Sequence, residues 1–259
     1  MASNAADETT QSTAAIRDTR PHHLTLAPLT TEQPTIRGPL HRALMVVDIE
    51  NSTARRDPVK AQLRRTLYRL LDEALELAGI LAYHRDPLVD RGDGVLVLIH
   101  PADHLPKSCL FNVLVPAIEH LVGSHNREYP QLAFRLRIAI HAGEIHHDDQ
   151  GPFGEAIDIA CRLLDTAELK AALRQTRSAT VLAVSDHLYD VIIRHQYDDA
   201  DTVTFTPSLR VDLAGIVRRG WLRTTPRDSL RPAPFRPSEY RTGQIADGRS
   251  PGTELAFDN

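Results

Sequence analysis

Residues 42–48, RALMVVD, form a run that is apolar almost throughout and ends on an acid. So short a run, with no polar position inside it, reads as a buried strand. A helix follows closely. Asp57-Pro58 offers an acid at the N-cap and a proline at the first helical position, where its missing N–H costs nothing. Val59, Leu63, Leu67, Leu70, Ala74 and Leu77 then recur at steps of four and three, which lays one apolar stripe along the helix. Lys60, Arg64, Arg65, Arg69, Asp72 and Glu73 are left for the other faces, and Gly79 ends the helix.

Further on, residues 80–86 and 94–100 read as two strands joined by the turn-rich PLVDRGDG. A second helix covers roughly 106–126, kinked near Pro116. Residues 132–145 alternate like a strand, and a third helix spans about 154–173. A strand at 179–184, a helix at 185–195 capped by Ser185, and a last strand or hairpin within 203–223 complete the pattern. The order strand, helix, strand, strand, helix, strand predicts an α/β (α+β) fold: a ferredoxin-like or palm-type sandwich on a mixed, mostly antiparallel sheet. In that arrangement the end of the first strand and the tip of the middle hairpin share one edge, which makes Asp48 and Asp93 neighbours.

The flanks differ from this core. Residues 1–39 are rich in Ala, Ser, Thr and Pro, and residues 225–259 in Pro, Arg and Gly, without sustained period. Both read as disordered tails around one domain at 40–224. Hydrophobic residues make up 42% of the chain, enough for a core, and the net charge of −4 argues against a general nucleic-acid partner. Two cysteines, Cys109 and Cys161, sit in apolar runs without a CxxC partner, which excludes a disulfide framework. No signal-peptide core and no spanning apolar run is present, so the expectation is a cytoplasmic protein with no membrane contact.

Two carboxylates at one edge repel each other unless something compensates. One reading is a divalent cation, since magnesium takes one or two carboxylates together with phosphate oxygens and water. Asn51, Ser52 and Thr53, between Asp48 and the helix, suit phosphate through their N–H groups. The other reading is plainer: Asp48 closes a turn and Asp93 is an ordinary hairpin acid.

Four blocks in order, VVDIENSTAR, RGDGVLVLI, RIAIHAGEI and FGEAIDIACRLLD, resemble the class III adenylate/guanylate cyclase homology domain over roughly residues 42–174. The resemblance implies conversion of a nucleoside triphosphate to a 3′,5′-cyclic nucleotide and pyrophosphate, with two Mg²⁺ or Mn²⁺ ions. It implies Asp48, Asp93 and the Ile49 carbonyl as metal ligands, and Asn51, Ser52 and Thr53 as the phosphate turn. It makes Arg162 the residue that steadies charge on the α-phosphate, and Asp158 occupies the position of the family's asparagine. It also implies a homodimer with shared sites. The purine-reading positions fall on Val89 and Gly151, neither of which is the family's residue, so the base is unassigned and a pyrimidine substrate, as in antiphage signalling relatives, is open.

Other residues carry two readings each. Arg91 at the hairpin tip either approaches substrate or is solvated. Asp158 and Arg162, one helical turn apart, either serve the site or pair with each other. Arg55 and Arg56 neutralise phosphate or start a solvated helix, and Arg218 or Arg219 replaces a phosphate-contacting lysine or guards a strand edge. His141 reads as a hydrogen-bonded structural residue, and His146 to Asp149 as a solvated loop. The alternative to an enzyme is a catalytically degenerate module that binds nucleotide or a partner protein. A polymerase-like or dinucleotide-cyclase palm enzyme ranks last, because the hairpin reads RGDGV.

Overall fold

Strand β1 (Leu40–Ile49) lies in the middle of the sheet, with β3 (Gly94–Ile99) on one side and β4 (Leu136–Asp148) on the other, both antiparallel to it. The structure is a computed structural model that describes residues 38–195 and 204–224. The expected tails, apart from Gly38 and Pro39, lie outside the described residues. The sheet order is β2-β3-β1-β4-β6-β8-β7, where β2 is Val89–Asp90, β6 Thr180–Ser185, β7 Thr204–Leu213 and β8 Ile216–Thr224; β5 (Gly151–Phe153) pairs with β4 off this path. Only β4 and β6 run parallel among the named pairings. This is the expected mixed, mostly antiparallel sandwich.

The unbroken apolar run in β1 has a simple cause: both faces of the strand are covered. Met45, Val47 and Ile49 meet helices α1 (Asp57–Leu77) and α2 (Val115–Glu128) on one face. Leu44 and Val46 meet α3 (Glu155–Asp165) and α4 (Ala167–Gln175) on the other. In α1 the buried set is Leu63, Leu67, Leu70, Leu71, Ala74 and Leu75, each leucine adding about 2 kcal/mol by leaving water. The stripe is wider than expected and stops earlier, because Leu77 is on the surface. Gly79, at φ +72, ends the helix as expected: Ile80 N–H bonds Leu75 O at 2.8 Å and Gly79 N–H bonds Glu76 O at 2.9 Å, a Schellman closure.

Four local expectations are corrected. Residues 82–84 form a 3₁₀ turn rather than a strand: His84 N–H donates back to Leu81 O at 2.8 Å, and the buried His84 Nδ1 accepts from Leu81 N–H. Pro116 does not kink a helix: a π-helical turn at Leu110–Leu114 precedes α2, and the proline falls in its first turn, where it is tolerated. The long third helix is two, α3 and α4, parted at Thr166, whose hydroxyl donates to Leu163 O and accepts from Leu169 N. Ser185 does precede α5 (Asp186–Val191), yet its hydroxyl bonds His141 and caps nothing.

Candidate active site

The end of β1, the β2–β3 hairpin tip and the β1–α1 connection meet at one edge. Asp48 stands opposite Gly94, and Ile49 N–H donates to Asp93 O at 3.1 Å. The two carboxylates are near enough for the charge of Asp93 to act on Asp48. The hairpin tip turns at Gly92 (φ +79), whose N–H bonds Asp90 Oδ1 at 2.8 Å. Asp90 is also forked by Arg64 at 2.7 and 3.0 Å, and that hydrogen bonding holds its carboxyl down at about 2.

After β1, Asn51 takes a left-handed φ of 54, which asparagine tolerates better than most residues. The turn leads into a 3₁₀ turn at Ser52–Ala54. Ser52 is buried and its hydroxyl donates to Asp93. A cavity of about 270 Å³ opens here, lined among others by Ile49, Ser52, Thr53, Lys60, Arg64 and Asp93. Asp48 does not line it. By strand alternation Asp48 shares the α3 face with Leu44 and Val46, whereas Ile49 faces α1.

What Asp48 faces is Arg137, its cross-strand partner in β4. The guanidinium forks the carboxylate, Nε to Oδ1 at 2.8 Å and Nη2 to Oδ2 at 2.5 Å. Burial pushes the Asp48 carboxyl above its ordinary value despite this partner, and Asp93 and Asp165 push the same way. Arg137 is the site residue that sequence reasoning missed. Its one signal was a cation beside the apolar Leu136 and Ile138 at the start of a strand, but only the register of β1 against β4 says what it meets.

The remaining expected residues sit as follows. Asp158 and Arg162 are exposed on α3, and no ion pair joins them, so the paired reading falls. Arg91 is exposed at the hairpin tip, with its charge acting on Cys161 of α3. Val89 stands opposite Leu96 and packs against the α3-side core. Gly151, at φ +126, lies in the β4–β5 turn that the Asp148 carboxylate ties through the N–H groups of Gln150 and Gly151. His146 to Asp148 are thus strand residues, not a solvated loop: His146 stacks on Phe153 and His147 Nε2 lies 3.3 Å from Asp86 Oδ2. Arg55 donates to Ala133 O, and Arg218 pairs with Glu155 at 2.7 Å while Arg219 stands opposite Arg210. His141 is buried and bonded to Ser185 Oγ at 2.7 Å, as expected of a structural histidine.

Among the described residues no cluster of three His, Cys, Asp or Glu is arranged to hold a metal, and no helix is long and apolar enough to cross a membrane. Asp48, Asp93 and the Ile49 carbonyl are oxygen donors of the kind a hard divalent cation takes, although both Asp48 oxygens are here held by Arg137. Two carboxylates and a carbonyl suffice when phosphate and water supply the rest, and a cation would offset the burial that now raises Asp48.

No family model matches the chain, and no curated protein matches it in sequence. Several solved structures match its fold. The catalytic core of a rhodopsin-guanylyl cyclase with converted specificity, in complex with ATPalphaS, is 14% identical with a TM-score of 0.50, over 73% of this chain and 98% of that one. The adenylyl cyclase CyaB from P. aeruginosa is 13% identical with a TM-score of 0.50, over 75% of this chain and 100% of that one. The guanylyl cyclase Cya2 gives 13%, 0.50, 75% and 98% respectively. The likeness is one of fold: the sheet and helices are those of a nucleotide cyclase catalytic domain.

Proposed function

We propose that this chain is a nucleotide cyclase that converts a nucleoside triphosphate to a 3′,5′-cyclic nucleotide and pyrophosphate. The observation that carries the reading is the meeting of Asp48, Asp93 and the Asn51–Thr53 turn at one sheet edge beside a cavity with Lys60 and Arg64 in its wall. Asp48, Asp93 and the Ile49 carbonyl would hold the cations. When bound, divalent ions supply charge stabilisation for an in-line displacement.

The chain's own residues do the rest. The turn at Asn51 to Thr53 and the start of α1 hold the phosphates, with Lys60, paired to Asp57, and Arg64, paired to Asp90, in the cavity wall. The substrate's 3′-hydroxyl gives its proton to water, its oxygen bonds the α-phosphorus, and the bond from the α-phosphorus to the oxygen that bridges to the β-phosphate breaks, releasing pyrophosphate. Arg162, exposed on α3, suits the oxygens of the α-phosphate of a partner's substrate in a homodimer, because its planar fork matches them. Asp158 beside it adds a negative charge, which weakens that role. Val89 is apolar and Gly151 has no side chain, so neither reads a purine by hydrogen bonding; a pyrimidine triphosphate is compatible with them.

The second reading is a nucleotide-binding module without turnover, favoured by Asp158 and by the engagement of both Asp48 oxygens. Incubating the full-length chain with each of the four triphosphates and Mn²⁺, with products resolved by mass, separates the two. A cyclic product that disappears in Asp48→Ala supports the enzyme. Thermal stabilisation by a triphosphate with no product supports the module. A product that persists undiminished in Asp48→Ala excludes the site.

A further inference from the structure

The Arg137 guanidinium holds both oxygens of Asp48, the carboxylate that the reading above makes a metal ligand. We propose that Arg137 is the resident cation of this site, and that loading a divalent ion is an exchange in which Arg137 leaves Asp48. The inference rests on the metal-site reading above.

Two observations carry it. Both Asp48 oxygens are engaged, and by the residue directly opposite in the β1–β4 ladder, so the backbone register presets the pair. The pair is shielded, its side chains only 17% and 14% exposed, so water competes poorly and a second cation cannot reach both oxygens while the guanidinium stays.

A ligand that binds only the open form has its affinity lowered by the open fraction. Hydrogen bonds to charged groups are worth about 1.5–3 kcal/mol, which leaves the pair open about one time in ten or less and weakens metal binding about tenfold or more. The test is Mn²⁺ binding to the full-length chain without nucleotide, followed by paramagnetic resonance of the free ion. Arg137→Gln is expected to bind Mn²⁺ about tenfold more tightly than the wild type. Arg137→Lys is expected to gain less, since an ammonium holds one oxygen at a time. Asp48→Asn should abolish binding. If Arg137→Gln binds no more tightly while Asp48→Asn abolishes binding, the exchange is wrong and the metal site stands. If no variant shows Asp48-dependent binding, both fail. If Arg137→Gln does not fold, an Arg137→Lys affinity equal to the wild type overturns the exchange.

Discussion

Gly94 joins the hairpin tip to the sheet, and its replacement by alanine tests how tightly the fold holds the site. A Cβ there would lie 2.2 Å from Val47 O and 3.1 Å from Asp48 Cβ. Even a close C···O contact is about 3.3 Å, so the methyl overlaps the carbonyl by about 1 Å. Val47 cannot retreat, because β1 is bonded along both edges, to β3 and to β4. Overpacking costs about 1–3 kcal/mol, and a clash with backbone belongs at the upper end. With a urea slope of about 2 kcal/mol per molar, the unfolding midpoint should fall by about 1–1.5 M. Gly92→Ala is the comparison. It has open space around it and bears only the strain of φ +79, about 1 kcal/mol and about 0.5 M. Urea unfolding followed by circular dichroism reads both. A Gly94→Ala midpoint no lower than that of Gly92→Ala would refute the packing argument. Since relief requires β3 to move away from β1, Mn²⁺ binding should weaken in Gly94→Ala as well.

Two further outcomes follow from buried charge. Burial holds His141 at about 4, below its ordinary 6.5. The unfolded chain therefore takes up the proton first: the contribution is complete above about pH 6.5 and is lost as pH falls toward 4, about 3 kcal/mol in all. Urea midpoints measured from pH 7 to pH 4.5 should fall in the wild type and flatten in His141→Gln; an unchanged slope in the variant would remove His141 as the cause. Glu119→Ala should destabilise by about 3 kcal/mol, because it strands the buried Arg223 that Glu119 pairs with; a thermal midpoint within about 2 °C of the wild type would show that Arg223 finds another partner.

How much was legible beforehand depends on the range of the interaction. The apolar run of β1, the stripe of α1 and its closure at Gly79 are local patterns, and they came through. So did the sheet-edge meeting of Asp48 and Asp93, because it follows from the order of elements. The break at Thr166 was hidden because LLDTAELK keeps a helical period across it; one hydroxyl serving Leu163 and Leu169 ends one helix and starts the next. The turn at 82–84 was hidden for a similar reason. A stretch of strand length gives no hint that a histidine ring will accept from the Leu81 N–H and turn the chain. Ser185 occupies a capping position and spends its hydroxyl elsewhere, since His141 lies across the strand pair. Arg137 could not be assigned for the most basic reason: strand register is set by the whole ladder, 89 residues separating it from Asp48.

Register also decides what the site can be. Side chains alternate along a strand, so a slip of one residue in β1 would turn Asp48 toward α1 and put Ile49 against Arg137. In the register found, Asp48 shares the α3 face with the cation, while the cavity and the Asn51–Thr53 turn lie on the α1 side. The two sides are joined at the hairpin tip, where Asp93 lines the cavity, accepts the Ser52 hydroxyl and still acts electrostatically on Asp48. Asp93 is therefore the hinge of the arrangement. The hydrophobic demand that Leu44 and Val46 face one way and Met45 and Val47 the other fixes which way the acid at the end of the strand must point. The same packing that buries the middle of β1 thereby selects the partner of its last carboxylate.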